Sequence, residues 1–266
     1  MRNYSLIPIQ VGANIFTDRT PPTYKAIPVY MYYIEGPKDR ILIDSGKAPV
    51  HHPTLEAMMA KRDPEMIDKT RGSWQAVVDG LAKYDLKPKD IDIIIVTHAH
   101  SGHLGFVSEF RNARFVIQRA ELDFALNPLP PVRVFFNDKN VKKLAKHPRL
   151  EVVDGDVEIV PGVTVLKSPG HTPGLQTVAV ETSEGLIVYA SDLVHSYHEM
   201  YPAHDELGVP RIHTHYLPPP FYISLGDLFK SYDRITAMTR KIIPAHDEHI
   251  VEGQRIPPLP FWPKPK

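Results

Sequence analysis

A strand that must be buried runs directly into three imidazoles. Ile91-Asp-Ile-Ile-Ile-Val96 is β-branched along nearly its whole length, which predicts a buried strand. The next seven residues read Thr97-His-Ala-His-Ser-Gly-His103. A loop leaving such a strand can aim His98 and His100 to one side and His103 to another. Neutral imidazole is the commonest side-chain ligand for zinc and related metals. The spacing therefore predicts a metal site at a strand end, with scattered loop histidines as the alternative.

Composition narrows what such a site can contain. The chain has 266 residues and no cysteine, which excludes disulfides and thiolate ligands, so any metal must sit among nitrogen and oxygen donors. Histidine is the outlier, with 14 copies. Lys+Arg and Asp+Glu both number 31, which gives no electrostatic reason to expect nucleic acid or an anionic membrane as partner. Apolar and charged contents of 42% and 23% suit a soluble globular protein. The N-terminus lacks the apolar core of a signal peptide and no 18-residue apolar run occurs, so a soluble, cytoplasmic protein is expected.

Strands dominate the pattern. Residues 28–34 and 40–44 read as a hairpin across Glu35-Gly-Pro-Lys38, and 114–118, 150–153, 157–160 and 163–167 as further strands. Residues 176–181 and 186–190 form a second hairpin, and 241–244 a last short strand. Ser73 and Ser224 cap helices running to about Lys83 and Arg240, and a third helix spans 120–126 before prolines stop it. The strands fall into two blocks, 1–118 and 150–190, which predicts two packed sheets with helices outside, an α+β layered sandwich. One domain over 1–266 is expected, with an irregular segment at 193–223 and an extended proline-rich tail at 254–266.

Three more segments offer ligands at strand ends. Ser168-Pro-Gly-His171-Thr-Pro-Gly174 holds an imidazole in a tight loop, Ile187-Val-Tyr-Ala-Ser-Asp192 ends in a carboxylate, and Ile242-Ile-Pro-Ala-His246-Asp247 ends in another imidazole. Together with Ile41-Leu-Ile-Asp-Ser-Gly46, these motifs make the chain resemble the metallo-β-lactamase superfamily, and within it the N-acyl-homoserine lactonase-like branch. The resemblance implies a four-layer αββα sandwich of two mixed β-sheets. It implies that His98, His100 and His171 hold one metal, that His103 and His246 hold a second, and that Asp192 bridges them. Asp44 would support a ligand rather than bind the ion, or else merely satisfy a turn. Zinc is the expected ion, one or two per chain, although iron, manganese and cobalt suit the same donors.

Two positions depart from that pattern. Gly102 stands where the family motif His-x-His-x-Asp-His has its aspartate, which leaves the second site one carboxylate short. A natural variant, an engineered substitution, or a neighbour filling the gap (Ser101, His51, His52 or His195) would each account for it. His195 stands where the lactonase branch has a tyrosine and is, with Asp192, the expected catalytic residue. The chemistry implied is attack of a metal-bound hydroxide on the acyl carbon of a lactone or related cyclic ester or amide. Thioester hydrolysis of the glyoxalase II type, and a catalytically weak metal- or ligand-binding protein, are the alternatives. Residues 193–223, with Tyr197, Tyr201, Tyr216, Phe221 and Tyr222, are expected to wall a small-molecule pocket. A surface loop or homodimer contact is the other reading of that segment.

Overall fold

Alternation inside very short strands decides the layering. In β3 (Ile41–Ile43) and β4 (Ile93–Ile95) all six side chains are buried. The outer residues of each face one apolar cluster, and Leu42 and Ile94 face another. A strand buried on both faces must lie between two packed layers.

The computed structural model describes residues 4–17, 24–49, 72–200 and 216–256. Two further strands, β1 (Ser5–Thr17) and β2 (Tyr24–Glu35), together with β5 (Arg114–Gln118) and β6 (Leu150–Val153), complete a sheet in the order β1-β2-β3-β4-β5-β6. Its β1–β3 pairings are antiparallel and its β3–β6 pairings parallel. The second sheet contains β7 (Val157–Val160), β8 (Val163–Lys167), β9 (Gln176–Thr182), β10 (Gly185–Ser191) and β11 (Ile242–Pro244), with β11 parallel to β10 at one edge.

Three apolar clusters fill the three spaces between four layers. Ile41, Ile43, Ile93 and Ile95 meet Val163, Val165, Val178, Val180 and Ile187 between the sheets. On the outer face of the first sheet, Leu42, Ile94 and Phe115 pack on α1 (Trp74–Ala82), α2 (Arg119–Leu126) and α3 (Asp138–Ala145). On the outer face of the second, Val188, Ala190 and Ile242 pack on the single turn α4 (Tyr197–Met200) and on α5 (Leu225–Met238). Each fully buried Ile, Leu or Val contributes roughly 1.5–3 kcal/mol relative to exposure. The αββα sandwich is therefore the observed fold. No helix among the described residues is long and apolar enough to cross a membrane.

The strand blocks differ from the sequence expectation. Leu150–Val153 belongs to the first sheet, parallel to β5, and not to the second block. Parallel neighbours need a crossover, and α2 and α3 supply it. Two elements, β1 and α3, have no counterpart among those expected from sequence. In β1, Ile7, Ile9 and Val11 alternate toward the outer-face cluster, and in α3, Asn137 accepts the Asn140 N–H as an N-cap. Both serine caps hold: Ser73 Oγ accepts from Ala76 N–H, and Ser224 Oγ accepts from Asp227 N–H. At the start of the tail, Ile256 exchanges two backbone hydrogen bonds with Leu6 on the edge strand β1. Residues 257–266 lie outside the described residues.

Because β3 and β4 are parallel, and β8, β10 and β11 share a direction, their C-terminal ends meet along one border of the sandwich. Asp44, the 97–103 loop, His171, Asp192 and His246 all leave those ends. A glutamine ties the border together: Gln176 Nε2 donates to Val96 O at 2.8 Å, and its backbone N–H to Thr97 O at 2.9 Å.

Candidate metal centre

A single buried carboxylate stands at the middle of the imidazoles. Asp192 Oδ1 lies 3.2 Å from both His103 Nε2 and His246 Nε2. Its other oxygen, Oδ2, lies 3.4 Å from His171 Nε2 and from His195 Nε2, and 3.8 Å from His98 Nε2. His100 Nδ1 approaches His171 Nε2 at 3.1 Å. Two donors each 2.0–2.1 Å from one tetrahedral zinc are about 3.3–3.4 Å apart, so these separations suit donors around a cation. Ligand atoms of His98, His100 and His171 fall within 4.8 Å of one another, as do those of His98, His103 and Asp192. The buried His98 Nε2 and Asp192 Oδ1 make no hydrogen bond. Burying such atoms without a partner is costly, and a cation would satisfy them.

The far sides of the rings are fixed by acceptors. His171 Nδ1 is 2.8 Å from Phe221 O, His246 Nδ1 is 2.8 Å from Pro28 O, and His103 Nδ1 is 2.7 Å from Asp44 Oδ2. A carbonyl or carboxylate can only accept, so each ring carries its proton on Nδ1 and turns Nε2 inward. The charge state of four rings agrees. Burial pushes His98, His100 and His246 down and takes His171 to about 4, which keeps their lone pairs free. Burial also opposes the charged form of His103, but the Asp192 and Asp44 carboxylates outweigh it and raise this ring to about 10. For Asp192 burial acts upward, yet the facing His103, His246 and His98 hold it well below the usual carboxylate range.

Asp44 acts by holding the ligand loop. It accepts from Thr97 N–H and Oγ1–H at 2.8 and 2.9 Å as well as facing His103, while Ser191 Oγ donates to Thr97 Oγ1 at 2.9 Å. Asp44 and Ser191 both have left-handed backbones, φ +67° and +49°. Non-glycine residues there cost energy that surrounding contacts must offset.

Two more buried carboxylates, outside the expected ligand set, support the site. Glu121 is fully buried; it accepts from Ala99 N–H at 2.8 Å, from Thr172 Oγ1–H at 2.5 Å and from the Gly174 N–H, so it clamps the 97–103 loop to the His171 loop. Burial raises it to about 7. A cue existed in its position beside the apolar Leu122 on an amphipathic helix, but a glutamate there ordinarily faces water. Asp247 accepts from Tyr197 N–H at 2.7 Å and from His249 N–H at 2.8 Å, fixing the turn after Asp192.

Around Gly102 the arrangement is unusual. Apart from its two chain neighbours, a Cβ at this position would meet, among the described residues, only Asn14 Nδ2 at 3.8 Å. Behind it, the buried Lys47 donates from Nζ to Asn14 Oδ1 at 3.1 Å. An ammonium can only donate, so Asn14 must turn its amide NH2 toward Gly102. Burial lowers Lys47 to about 8. His195 does not lie within 4 Å of that Cβ position, and His51 and His52 lie outside the described residues.

Within 193–223, Tyr197 and Tyr216 differ from the expected pocket wall. Both are buried against α5, and Tyr216 stacks on Tyr232 at 4.0 Å. Phe221 is exposed and its ring meets Phe135 at 4.2 Å, beside His100. Tyr201, His204, His213 and His215 lie outside the described residues.

Comparison with known proteins finds the same architecture. Residues 24–230 match the family described as the metallo-beta-lactamase superfamily. An N-acyl homoserine lactonase of Bacillus cereus is 32% identical over 180 residues, 65% of this chain and 66% of that protein. The N-acyl homoserine lactonase AttM of Rhizobium radiobacter is 26% identical over 58% of this chain and 60% of its own length. The chain thus matches just under two thirds of the first of these relatives and less of the other. Among solved structures, an N-acyl homoserine lactone hydrolase with the product N-hexanoyl-L-homoserine at its catalytic metal centre superposes with TM-score 0.70. It is 22% identical, and 93% of this chain and 95% of that one are covered. The dizinc quorum-quenching lactonase AidC gives TM-score 0.61 at 19% identity, over 85% and 74% of the two chains.

Proposed function

Because the chain belongs to the metallo-β-lactamase superfamily, we propose that it is a metal-dependent hydrolase that opens a lactone or a related cyclic ester or amide. Acyl homoserine lactones are the first substrates to try, given the curated relatives. The observation that carries the reading is the division of Asp192, with one oxygen turned to His103 and His246 and the other to His98, His171 and His195.

In this reading His98, His100 and His171 hold one ion, His103 and His246 hold another, and Asp192 serves both. Zinc is the ion we propose, since an all-nitrogen-and-oxygen set of this size suits it. Bound ions supply a water acidic enough to attack an acyl carbon at neutral pH and polarise its carbonyl. The residues themselves supply the rest. The acceptors on Nδ1 hold the rings, the ionised Asp192 balances positive charge, and burial of the cluster excludes bulk water. Asp192 and His195 are the groups we set against the reacting atoms, and Phe135 and Phe221 offer an apolar edge for an acyl group beside His100. We take 1–266 as one cytoplasmic domain, 193–223 as its pocket insertion and 254–266 as an extended tail. A homodimer is compatible with this reading and is tested by gel filtration.

Gly102 favours a second reading, a weak binder that keeps the fold and a single ion. Metal analysis with a panel of lactone, thioester and β-lactam substrates separates the two. Turnover of a lactone with one or two ions per chain is expected. Less than one ion per chain and no turnover on any class would refute the hydrolase.

A further inference from the structure

His195 stands toward Asp192 as an expected ligand does. Its Nε2 lies 3.4 Å from Asp192 Oδ2, the same separation as His171 Nε2 from that oxygen. The three ligand atoms fall within 4.8 Å of one another. The side chain is buried, and its ring centroid is 5.1 Å from that of His246 and 6.1 Å from that of His171.

The backbone presents it there. Ala245 N–H donates to Val194 O and His246 N–H to His195 O, each at 2.9 Å, so residues 194–195 run alongside 245–246. The His195 N–H is taken by Glu199 Oε2 at 2.6 Å. These bonds fix the Cα–Cβ direction of His195 next to that of His246, and both imidazoles enter the cluster side by side.

We propose that His195 is a protein ligand of this metal centre, sharing an ion with Asp192 Oδ2 and His171. The centre then holds six imidazoles and one carboxylate, unevenly divided. His98, His100, His171 and His195 lie on the Oδ2 side, and only His103 and His246 on the Oδ1 side. The extra imidazole keeps the number of donors that Gly102 would otherwise reduce, but it places the donor on the opposite side of Asp192 and adds no negative charge. Two ions should therefore bind with unequal strength, the Oδ2 side first. The inference rests on the metal reading of the cluster and is independent of which ester is cleaved.

Cobalt(II) loading of the full-length protein tests it. Each bound imidazole contributes one exchangeable, hyperfine-shifted N–H resonance, so saturated wild-type protein is expected to show six, against five without His195. In His195→Gln and His195→Phe one resonance should vanish, the visible cobalt absorption should change, and the tighter binding step should weaken at least about 10-fold. Loss of supporting partners alone costs 10–100-fold. His198→Gln, at an exposed neighbour, should change none of these. Five resonances in wild-type protein would overturn the proposal, as would a folded His195→Gln variant with unchanged absorption and affinity. Six resonances without lactone turnover would remove the substrate assignment and leave His195 a ligand; turnover with five would do the reverse.

Discussion

Replacing Glu121 by glutamine should reverse the order of stability between variant and wild type as pH rises. The side chain has no exposure and reaches both ligand loops through Ala99, Thr172 and Gly174. Burial lifts its pKa from 4.5 to about 7. An acid whose pKa rises on folding favours the fold fully only below its unfolded value, and this contribution is lost as pH climbs to the folded value. At about 1.4 kcal/mol per pK unit, the whole loss is about 3 kcal/mol, of which about 2 kcal/mol falls between pH 5 and 7.5. Glutamine has nearly the same shape and no charge. Its oxygen can keep the Ala99 N–H and its amide can donate to Thr172 Oγ1, so one hydrogen bond is lost at a cost of about 1 kcal/mol. Urea unfolding of metal-free protein, where no bound cation adds to the field, should find Glu121→Gln the weaker at pH 5 and the stronger at pH 7.5. A stability difference that stays flat across this range would refute the reasoning.

Other outcomes follow from the same geometry. Gly102→Asp has room for its Cβ and adds an acid on the side of Asn14 and Lys47; metal per chain after dialysis should rise, and unchanged content would contradict the reading of position 102 as a missing ligand of the second ion. His171→Ala should lower metal content by about one ion per chain, measured by elemental analysis. Asp44→Asn removes the charge on His103 Nδ1 and should weaken the looser ion about 10–100-fold in chelator competition. Gly174→Ala would set a Cβ 2.0 Å from Glu121 N, and thermal unfolding should find it less stable by about 1–3 kcal/mol.

The convergence of these imidazoles on Asp192 was legible because each apolar strand stops at a His or Asp, and strand ends are where a sandwich gathers its loops. Ile93–Ile95 and Gly185–Ser191 deliver His98 and Asp192 to the same border although 94 residues apart in sequence. Sheet membership was not legible for Leu150–Val153, because its neighbour β5 lies across two helices and adjacency in sequence pointed to β7 instead. The alternation of Ile7, Ile9 and Val11 could have revealed β1, but Pro8 within the run reads as a break unless the strand lies at an edge, as it does. Glu121 and Lys47 escaped notice for one reason: charged residues are ordinarily solvated, and only the three-dimensional path of the chain shows these two enclosed. Tyr216 looked like pocket lining for the opposite reason, since an aromatic in an irregular segment gives no sign of the helix it will stack on.

In a chain without a single cysteine, the two sheets have no covalent tie to each other beyond the backbone. Asp44 and the His98–His103 loop leave one sheet, and His171, Asp192 and His246 leave the other, so cations bound among them would act as a removable rivet across the seam. Stripping the ions should let that border gape first while the far ends of the strands stay closed. Limited digestion after chelation would then cut near residues 97–103 and 168–174 well before the protein as a whole comes apart.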